Sequence, residues 1–391
     1  MLIVRRGERP SPARAEVEGR DRAKEADDIV YIQTSSAASK PWPALGMSPV
    51  PGSKKKPTIA TVAAQAGVAV STVSRYLNGH YVSRSVRARL SDVIETLGYS
   101  RSWTARNLSL GRRGCIGVAV DTTEDPWFTQ LLTGIEEELS TRDTSLMLAS
   151  LELRGHYDSR IVLDWIRGRR IDGLIVPKSS RRERPLLEAA VETQIPTALV
   201  APHDVVNYVA VMRGDNLMAG RTVASHLANL GHTAIGFAGG PRYSIDSRHR
   251  LRGLREELGR RGIEIHAKST GYCGSYEAEA GTRFAQRLLE RKLEVTALVF
   301  GNDALAIGFM RVAQQRGIRM PQDLSIVGFD NIAGGAMVWP GLTTVAQPMR
   351  DMGRDACRYL FESPPPRRPP AVDYPMELIM RESTGPPPAV R

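Results

Sequence analysis

The sequence predicts two unlike parts: a small all-α helix-turn-helix head and a larger α/β body. Three observations carry this reading. Residues 58–113 hold two short apolar-faced helical segments around Gly67, followed by a basic stretch. Residues 114–383 alternate strand-length apolar runs with amphipathic segments, the pattern of a parallel sheet with covering helices. The net charge of +11 is unevenly placed: residues 1–113 carry 19 Lys/Arg against 9 Asp/Glu, the remainder 34 against 33. A basic front on a neutral body suits a polyanionic partner better than it suits a merely solubilising tail.

In the head, Thr58 is placed to cap a first helix from Ile59 to about Ala66, with Val62 and Ala66 facing inward. Gly67 supplies a tight turn. A second helix starts near Val70 and carries S-T-V-S-R. Val73 and Leu77, four residues apart, face the core. Val70, Ser71 and Arg75 then project outward with the dimensions of a major-groove reader. Val70 suits a thymine methyl, Ser71 is undemanding, and Arg75 can grip a guanine edge with two hydrogen bonds. Thr58, Thr72, Ser74 and Asn78 complete the DNA-contacting set, the last three better suited to phosphates. Ser83 is expected to cap a third helix ending at Leu97, stopped by Gly98. Each residue alone is an ordinary polar group on a helix; the ordered set is not.

Behind Tyr99 stands T-A-R-N-L (104–108), read as a hinge helix over about 102–110. Small residues beside a leucine suit a minor groove, with Leu108 as an apolar wedge, Ala105 and Arg106 beside it, and Arg106, Arg112 and Arg113 on phosphates. A leucine in a linker more commonly packs against its own protein. In the body the strand candidates include 115–120, 145–150, 173–177, 197–201, 234–240, 297–301 and 325–330. SPPPRRPP (363–370) reads as a surface loop. Residues 1–57 are charged, proline-bearing and aperiodic, which predicts a disordered basic extension, with Met47 as a second candidate start. Residues 384–391 read as a disordered tail.

Cys115, Cys273 and Cys357 are too scattered for a disulfide framework or a metal knuckle and read as buried thiols. No apolar run reaches membrane-spanning length, and MLIVRRGERP lacks the apolar centre of a signal peptide. A cytoplasmic, nucleoid-associated protein is expected. The seven histidines form no metal-spaced pair. There is no G-x-S-x-G elbow and no G-x-x-x-x-G-K-[ST] loop. No enzyme activity, cofactor or metal is therefore expected. The alternatives are a soluble sugar-binding protein, a sugar-modifying enzyme, and a regulator with no working ligand site.

The head string A-G-V-A-V-S-T-V-S-R-Y-L-N-G (66–79) is joined by G-R-R-I-D-G-L-I-V (168–176), L-G-H-T-A-I-G-F-A-G-G (230–240), N-D-A-L-A-I-G (302–308), P-Q-D-L-S-I-V-G-F-D (321–330), P-G-L-T-T-V (340–345) and L-I-M-R-E-S (378–383). Together they resemble the LacI/GalR family of bacterial transcription regulators over residues 58–383. The resemblance implies a helix-turn-helix head and hinge helix on a two-lobed, type I periplasmic-binding-protein-like effector domain. It implies a homodimer on a near-palindromic DNA operator, with Leu108 in the minor groove; a repressor is expected, and the sequence leaves a tetramer open. It also implies a small sugar-like effector between the lobes, met by Asp125, Trp127, Phe128, Arg250, Tyr276, Asn302 and Asp330. Aromatic faces with a few fixed polar groups suit such a ligand. The chain departs from the family pattern in places. Ala69 replaces the usual capping serine, Thr61 a common acidic residue, Arg101 a frequent proline and Asp125 a common asparagine. The stretch between helices two and three is one residue short.

Overall fold

A computed structural model of the chain describes residues 57–99, 112–153, 155–204, 209–291, 293–362 and 370–388. These form two compact units, one on each side of the segment 100–111. The hinge residues Ala105, Arg106 and Leu108 lie outside the described residues, as do the extension and most of SPPPRRPP.

The head holds α1 (Ile59–Ala66), α2 (Val70–Leu77) and α3 (Arg84–Leu97). Thr58 and Thr61 form a reciprocal capping box: Thr61 N–H donates to Thr58 Oγ1 at 3.2 Å and Thr58 N–H to Thr61 Oγ1 at 3.3 Å. Threonine thus does the work an acidic residue would do at that position. Gly67 closes α1 at φ 60°, a left-handed conformation that costs glycine little. Ala69 leaves α2 with no side-chain cap, as its methyl dictates. Ser83 precedes α3 but makes no cap bond; its hydroxyl pairs with Ser85 at 3.3 Å instead. That corrects the expected cap. Val62, Ala63, Ala66, Val73 and Leu90 form the buried centre, with Leu77 packed at its edge.

The body is built from two similar halves. The first has a wholly parallel sheet in the order β13-β7-β6-β5-β1-β2, made of β1 (Cys115–Val120), β2 (Ser145–Ser150), β5 (Gly173–Pro177), β6 (Thr197–Val200), β7 (Ala210–Gly214) and β13 (Ala371–Tyr374). A two-residue hairpin, β3 (Glu152–Leu153) and β4 (His156–Tyr157), follows β2. Strands β1 and β5 are buried throughout, which explains their unbroken apolar runs. Helices α4 (Pro126–Ser140) and α12 (Met349–Tyr359) cover one face; α5 (Arg160–Arg167) and α6 (Arg184–Glu192) cover the other.

The second half repeats the order as β14-β12-β11-β10-β8-β9, from β8 (Ile235–Gly239), β9 (Ile265–Tyr272), β10 (Ala297–Phe300), β11 (Ser325–Asp330), β12 (Thr343–Ala346) and an antiparallel edge strand, β14 (Glu377–Ile379). Helices α7 (Asn216–Asn229) and α8 (Ile245–Arg260) pack on one side; α9 (Ala278–Leu288) and α10 (Asp303–Gln315) pack on the other, with a short α11 (Ala333–Met337). The chain crosses between lobes three times, at β7–α7, β12–α12 and β13–β14. The crossings touch: Asp215 N–H donates to Tyr374 O at 2.8 Å. A Cβ at Gly214 would stand 2.7 Å from Met376 Sδ, so a larger residue there would have to displace the methionine side chain.

Two expectations change. The short strands β3 and β4, and strands β7, β9, β12, β13 and β14, were not among the candidates. The edge strands β9, β13 and β14 are largely exposed or half-buried and so lack an apolar run. The chain also does not come free at Thr384. His232 is fully buried, and its Nε2 donates to Gly385 O at 2.9 Å; Ser325 Oγ donates to the same oxygen at 3.1 Å. His226 pairs with Thr384 Oγ1 at 3.1 Å. A buried imidazole N–H needs an acceptor, and the segment after Ser383 supplies it. Burial pushes Cys115 to about 11 and Cys357 to about 12, so both are unreactive thiols. Among the described residues no helix is long and apolar enough to cross a membrane, and no group of three or more His, Cys, Asp or Glu is placed to hold a metal.

Candidate functional site

Two surfaces carry chemistry, one on each unit. On the head, successive α2 residues turn by about 100°, so Val70, Ser71, Ser74, Arg75 and Asn78 share one face. Val70 is 46% exposed despite being apolar, and Ser71, Arg75 and Asn78 are exposed too. Val73 is buried and Leu77 half-buried on the opposite face. Thr72 is half-buried between the two faces, and Thr58 is exposed at the start of α1. Asn78 Nδ2 donates to Ser74 Oγ at 3.4 Å. Arg75 makes no ion pair among the described residues, which leaves its guanidinium available.

On the body, the carboxyl ends of the strands in both sheets meet across a cleft. In open parallel sheets, ligands bind outside the carboxyl ends where strand order reverses, here between β1 and β5 and between β8 and β10. Arg250, on α8, is 2% exposed. Its Nε donates to Asn216 Oδ1 at 2.6 Å, an Nη donates to Gly301 O, and Nη2 lies 3.9 Å from Asp330 Oδ1. The guanidinium sits 4.3 Å from the Phe329 ring centroid. Asp330 ends β11 at φ 104°, followed by Asn331 at φ 53°. Two consecutive non-glycine residues at positive φ are uncommon and mark a turn held by its surroundings. Arg381 bonds Asn331 Oδ1 at 2.6 Å, and Asp303 accepts Ile332 N–H at 3.0 Å.

The cleft residues are tied to the crossings. Gln347, between β12 and α12, donates to Asp330 Oδ1 at 2.5 Å. Asn216, at the β7–α7 crossing, bonds Gly214 O at 3.1 Å and Asp246 at 2.9 Å besides receiving Arg250. Gln130 of α4 reaches across to Asn331 O at 3.3 Å.

The first lobe contributes Asp125, Trp127, Lys178 and His203. Asp125 caps α4 through Oδ1, which accepts Trp127 N–H at 3.0 Å, and its Oδ2 takes Lys178 Nζ at 2.5 Å. The Lys178 ammonium lies 4.5 Å from the Trp127 ring and 5.6 Å from the Tyr276 ring of the second lobe. His203 stacks on Tyr276 at 6.5 Å and meets Tyr243 edge-on at 5.8 Å. The Tyr276 hydroxyl is fixed by Ser244 at 2.7 Å and Ser247 at 3.0 Å. Buried polar atoms without a protein partner among the described residues include His203 Nδ1 and Gln347 Oε1, both at this cleft.

Five of the seven expected residues therefore converge: Asp125, Trp127, Arg250, Tyr276 and Asp330. Phe128 does not: it shares the first-lobe core with Trp127, Leu131 and Ile135, but only the Trp127 ring also meets a cleft group, the Lys178 ammonium, among the described contacts. Its place in α4, one residue past Trp127, turns it by about 100° away. Asn302 has a structural task first. Its Oδ1 caps α10 by accepting Leu305 N–H at 3.0 Å, and its Nδ2 donates to Tyr276 O at 3.0 Å. Sequence reading missed Lys178, His203, Asn216 and Gln347. The signal for the first two was their position, immediately or shortly after the buried strands β5 and β6.

Electrostatics set the protonation states. Burial pushes the Asp330 carboxyl up to about 6, partly opposed by Arg250 and Lys178. Burial also raises Asp125, but Lys178 outweighs it, so this carboxyl sits below its ordinary value. Burial lowers Lys178, yet Asp125 and Asp330 hold it above its ordinary value. Burial pulls His203 down to about 4, which leaves a neutral imidazole at neutral pH.

A helix-turn-helix head followed by a two-lobed α/β body is the architecture of a DNA-binding transcriptional regulator. The sequence pattern described as bacterial regulatory proteins, lacI family, matches residues 58–102, and that of the periplasmic binding protein-like domain matches residues 224–384. The HTH-type transcriptional regulator DegA of Bacillus subtilis (strain 168) is 30% identical over 336 residues, 85% of this chain and 99% of that protein. The ribose operon repressor of Escherichia coli (strain K12) is 30% identical over 311 residues, 78% and 92% of the two chains. A solved transcriptional regulator CelR–cellobiose complex superposes with a TM-score of 0.64 at 28% identity, covering 84% of this chain and 99% of that one. The chain belongs to the LacI family of bacterial transcriptional regulators.

Proposed function

We propose that this protein is a repressor that binds a near-palindromic operator as a homodimer and is controlled by a neutral, sugar-like effector in the interlobe cleft. The observation that carries the reading is the convergence of Arg250 and Asp330 with Trp127, Tyr276 and His203 at the carboxyl ends of both sheets. A carboxylate and a guanidinium side by side match vicinal hydroxyls, and flat rings match the apolar face of a sugar. Asp121, Asp125 and Asp330 around Lys178 and Arg250 disfavour an anionic ligand. The relatives support the class: one is a ribose operon repressor and another was solved with cellobiose.

The coupling follows from the crossings. Asp330 holds Gln347, and Arg250 holds Asn216, so a ligand that re-engages either side chain pulls on a segment joining the lobes. Lobe rotation then shifts the population of hinge segments able to fold on DNA, where Leu108 acts as the wedge with Ala105 and Arg106 beside it. A homodimer brings two such hinges together. Met337 and Trp339 are 83% and 77% exposed on the second lobe, an apolar pair suited to a second copy. We place the protein in the cytoplasm with the DNA.

The test is operator selection with the full chain, followed by affinity for an inverted-repeat duplex against a random one at moderate salt. Preference for the repeat is expected; equal affinity for both refutes the reading. Within that assay, Arg75→Ala is expected to weaken the selected site by about 5- to 100-fold and to relax one base position in each half-site. A variant that keeps its sequence preference would remove Arg75 from base reading.

The effector should also be pH-dependent, with a definite sign. Ionised Asp330 accepts hydroxyl hydrogen bonds on both oxygens, and more strongly than the neutral acid does. In the empty cleft it protonates at about 6, so protons compete with the ligand as pH falls through that value. Effector affinity is expected to drop about 10-fold from pH 7 to pH 5. By this group alone the ligand-free body is more stable at pH 5, because the native state retains a proton that the unfolded chain releases. Asp121, raised to about 6 by loss of hydration and by Glu183, titrates in the same range. Asp330→Asn separates the two: its residual affinity should be flat across this interval. Calorimetric titration of the unmodified protein showing no pH dependence would exclude Asp330 as the acceptor.

A further inference from the structure

The body has a concentration of arginines that neither the cleft nor the core uses. It lies at the amino ends of β1 and β5, the side of the first sheet opposite the cleft. Arg112 and Arg113 enter there from the segment that leads out of the head. Arg167, in the last turn of α5, and Arg169 and Arg170, in the turn before β5, lie at the same end of the sheet. Arg113 Nε donates to Arg169 O at 2.6 Å, which ties the two groups together. Arg169 stands at φ 46°, a left-handed conformation that an arginine adopts only where its neighbours hold it. Arg170 N–H bonds Trp165 O at 2.8 Å and Arg169 N–H bonds Ile166 O at 3.0 Å, so the turn is fixed at both ends.

Among the described residues, no ion pair matches the charge of this face. Arg112, Arg167, Arg169 and Arg170 are exposed, and none of the five arginines has an ion pair among the described residues. Elsewhere on the same lobe, arginines are matched: Arg142 with Glu138, Arg160 with Asp158, Arg182 with Glu152 and Arg213 with Asp373. The nearest carboxylate, Asp172, is consumed by backbone. It accepts Arg113 N–H at 2.7 Å, Gly114 N–H at 2.5 Å and Cys115 N–H at 3.3 Å. Asp164 on α5 and Asp143 in the turn before β2 are the other acidic residues of the adjoining segments. Five arginines, two of them in a fixed turn, at the point where the chain enters the body, have no carboxylate partner in an ion pair among the described residues.

We propose that this arginine face is a second nucleic-acid surface: the effector body itself contacts duplex backbone phosphates that flank the site read by the head. The occupant is DNA because the face is rich in guanidinium groups without an ion pair among the described residues and follows directly in the chain on the segment leading from the head. Such contacts position without specifying, so they add affinity for any sequence. A ligand-driven movement of the first lobe then acts on DNA directly as well as through the hinge. The inference rests on the operator-binding reading above.

The test uses the full chain and the triple variant Arg167→Gln, Arg169→Asn, Arg170→Gln; asparagine tolerates the left-handed position. Affinity is measured against salt concentration for a selected operator, with and without about ten flanking base pairs on each side, and for random duplex. Each lost phosphate contact lowers the slope of log affinity against log salt by about 0.9, so a fall of about 2 to 3 per protomer is expected. At low salt the variant should bind the long operator and the random duplex at least about 10-fold more weakly, while the trimmed operator changes little. Weakened binding with an unchanged salt slope overturns the proposal, because the arginines would then act on the chain's own linker. Unchanged affinity and slope overturn it as well. If the unmodified chain does not prefer operator over random duplex but the slope still falls in the variant, the operator reading fails while the phosphate surface stands. If the unmodified chain binds no duplex, both fail.

Discussion

Leu90→Ala is expected to abolish specific operator binding while leaving the body folded. Leu90 has no exposed surface and sits in α3 among Val62, Ala63, Ala66 and Val73. Truncating a buried leucine costs about 2–5 kcal/mol through lost burial and the cavity left behind. A unit the size of the head has few such residues to spare, since small domains bury a small fraction of their surface. The cysteines all lie in the body and are free, so no disulfide braces the head. Calorimetry should show the head transition lost or displaced by tens of degrees, with the body transition in place, and operator affinity reduced to nonspecific levels. Retained sequence-specific binding with an unmoved head transition would mean that Leu90 is not the keystone its burial indicates.

Arg250→Met is expected to remove effector binding and to lower the stability of the body. The change keeps the volume roughly constant but deletes the only guanidinium bonded to Asn216, Gly301 and Asp330 among the described residues. Breaking a buried charged network by removing one partner costs about 3–5 kcal/mol, because the other groups stay buried without compensation. Asp330 is left with Gln347 and the more distant Lys178, so its proton affinity should rise further. Thermal-shift screening with sugars should detect no ligand, and the operator complex should become blind to effector. Arg250→Lys tests the site role apart from stability. A single ammonium restores charge beside Asp330 without the forked geometry, so stability should recover in part and effector binding should not. An effector response of normal size in the methionine variant would place the ligand elsewhere.

Much of the head was legible because its determinants are local. Thr58, Gly67 and Gly98 act on their own turns, and a stripe of Val62, Ala66, Val73 and Leu77 is readable at helical period. The one local error, Ser83, arose because a cap depends on side-chain rotation: its hydroxyl turned to Ser85. Buried strands such as β1, β5 and β11 announced themselves by unbroken apolar runs. The edge strand β2 was legible from its apolar residues, but the edge strands β9, β13 and β14 were not, since an edge strand need not be apolar on both faces.

The cleft was legible in part and for a different reason. Arg250, Tyr276 and Asp330 lie in motifs that resemble a family pattern, so their positions carried over. Lys178 and His203 belong to no such motif. They entered the site because the ends of β5 and β6 fold against Tyr276 and Tyr243 of the other lobe, from segments many tens of residues away. Phe128 and Asn302 show the converse: motif position put them at the cleft, but packing and a helix cap claimed their side chains.

By itself the sequence determined the elements whose cause lies within one turn or one strand: the head helices, the apolar strands, the charge asymmetry and the family. Only the tertiary structure decided which side chains share the cleft, how Gln347 and Asn216 tie it to the lobe crossings, that the residues after Ser383 seal His232, and that the arginines at 112–113 and 167–170 meet on one face. The physical reason is reach. Periodicity and capping are interactions between near neighbours and leave a mark in the order of residues, whereas hydrogen bonds and ring contacts between distant segments depend on how the sheets stack and leave none.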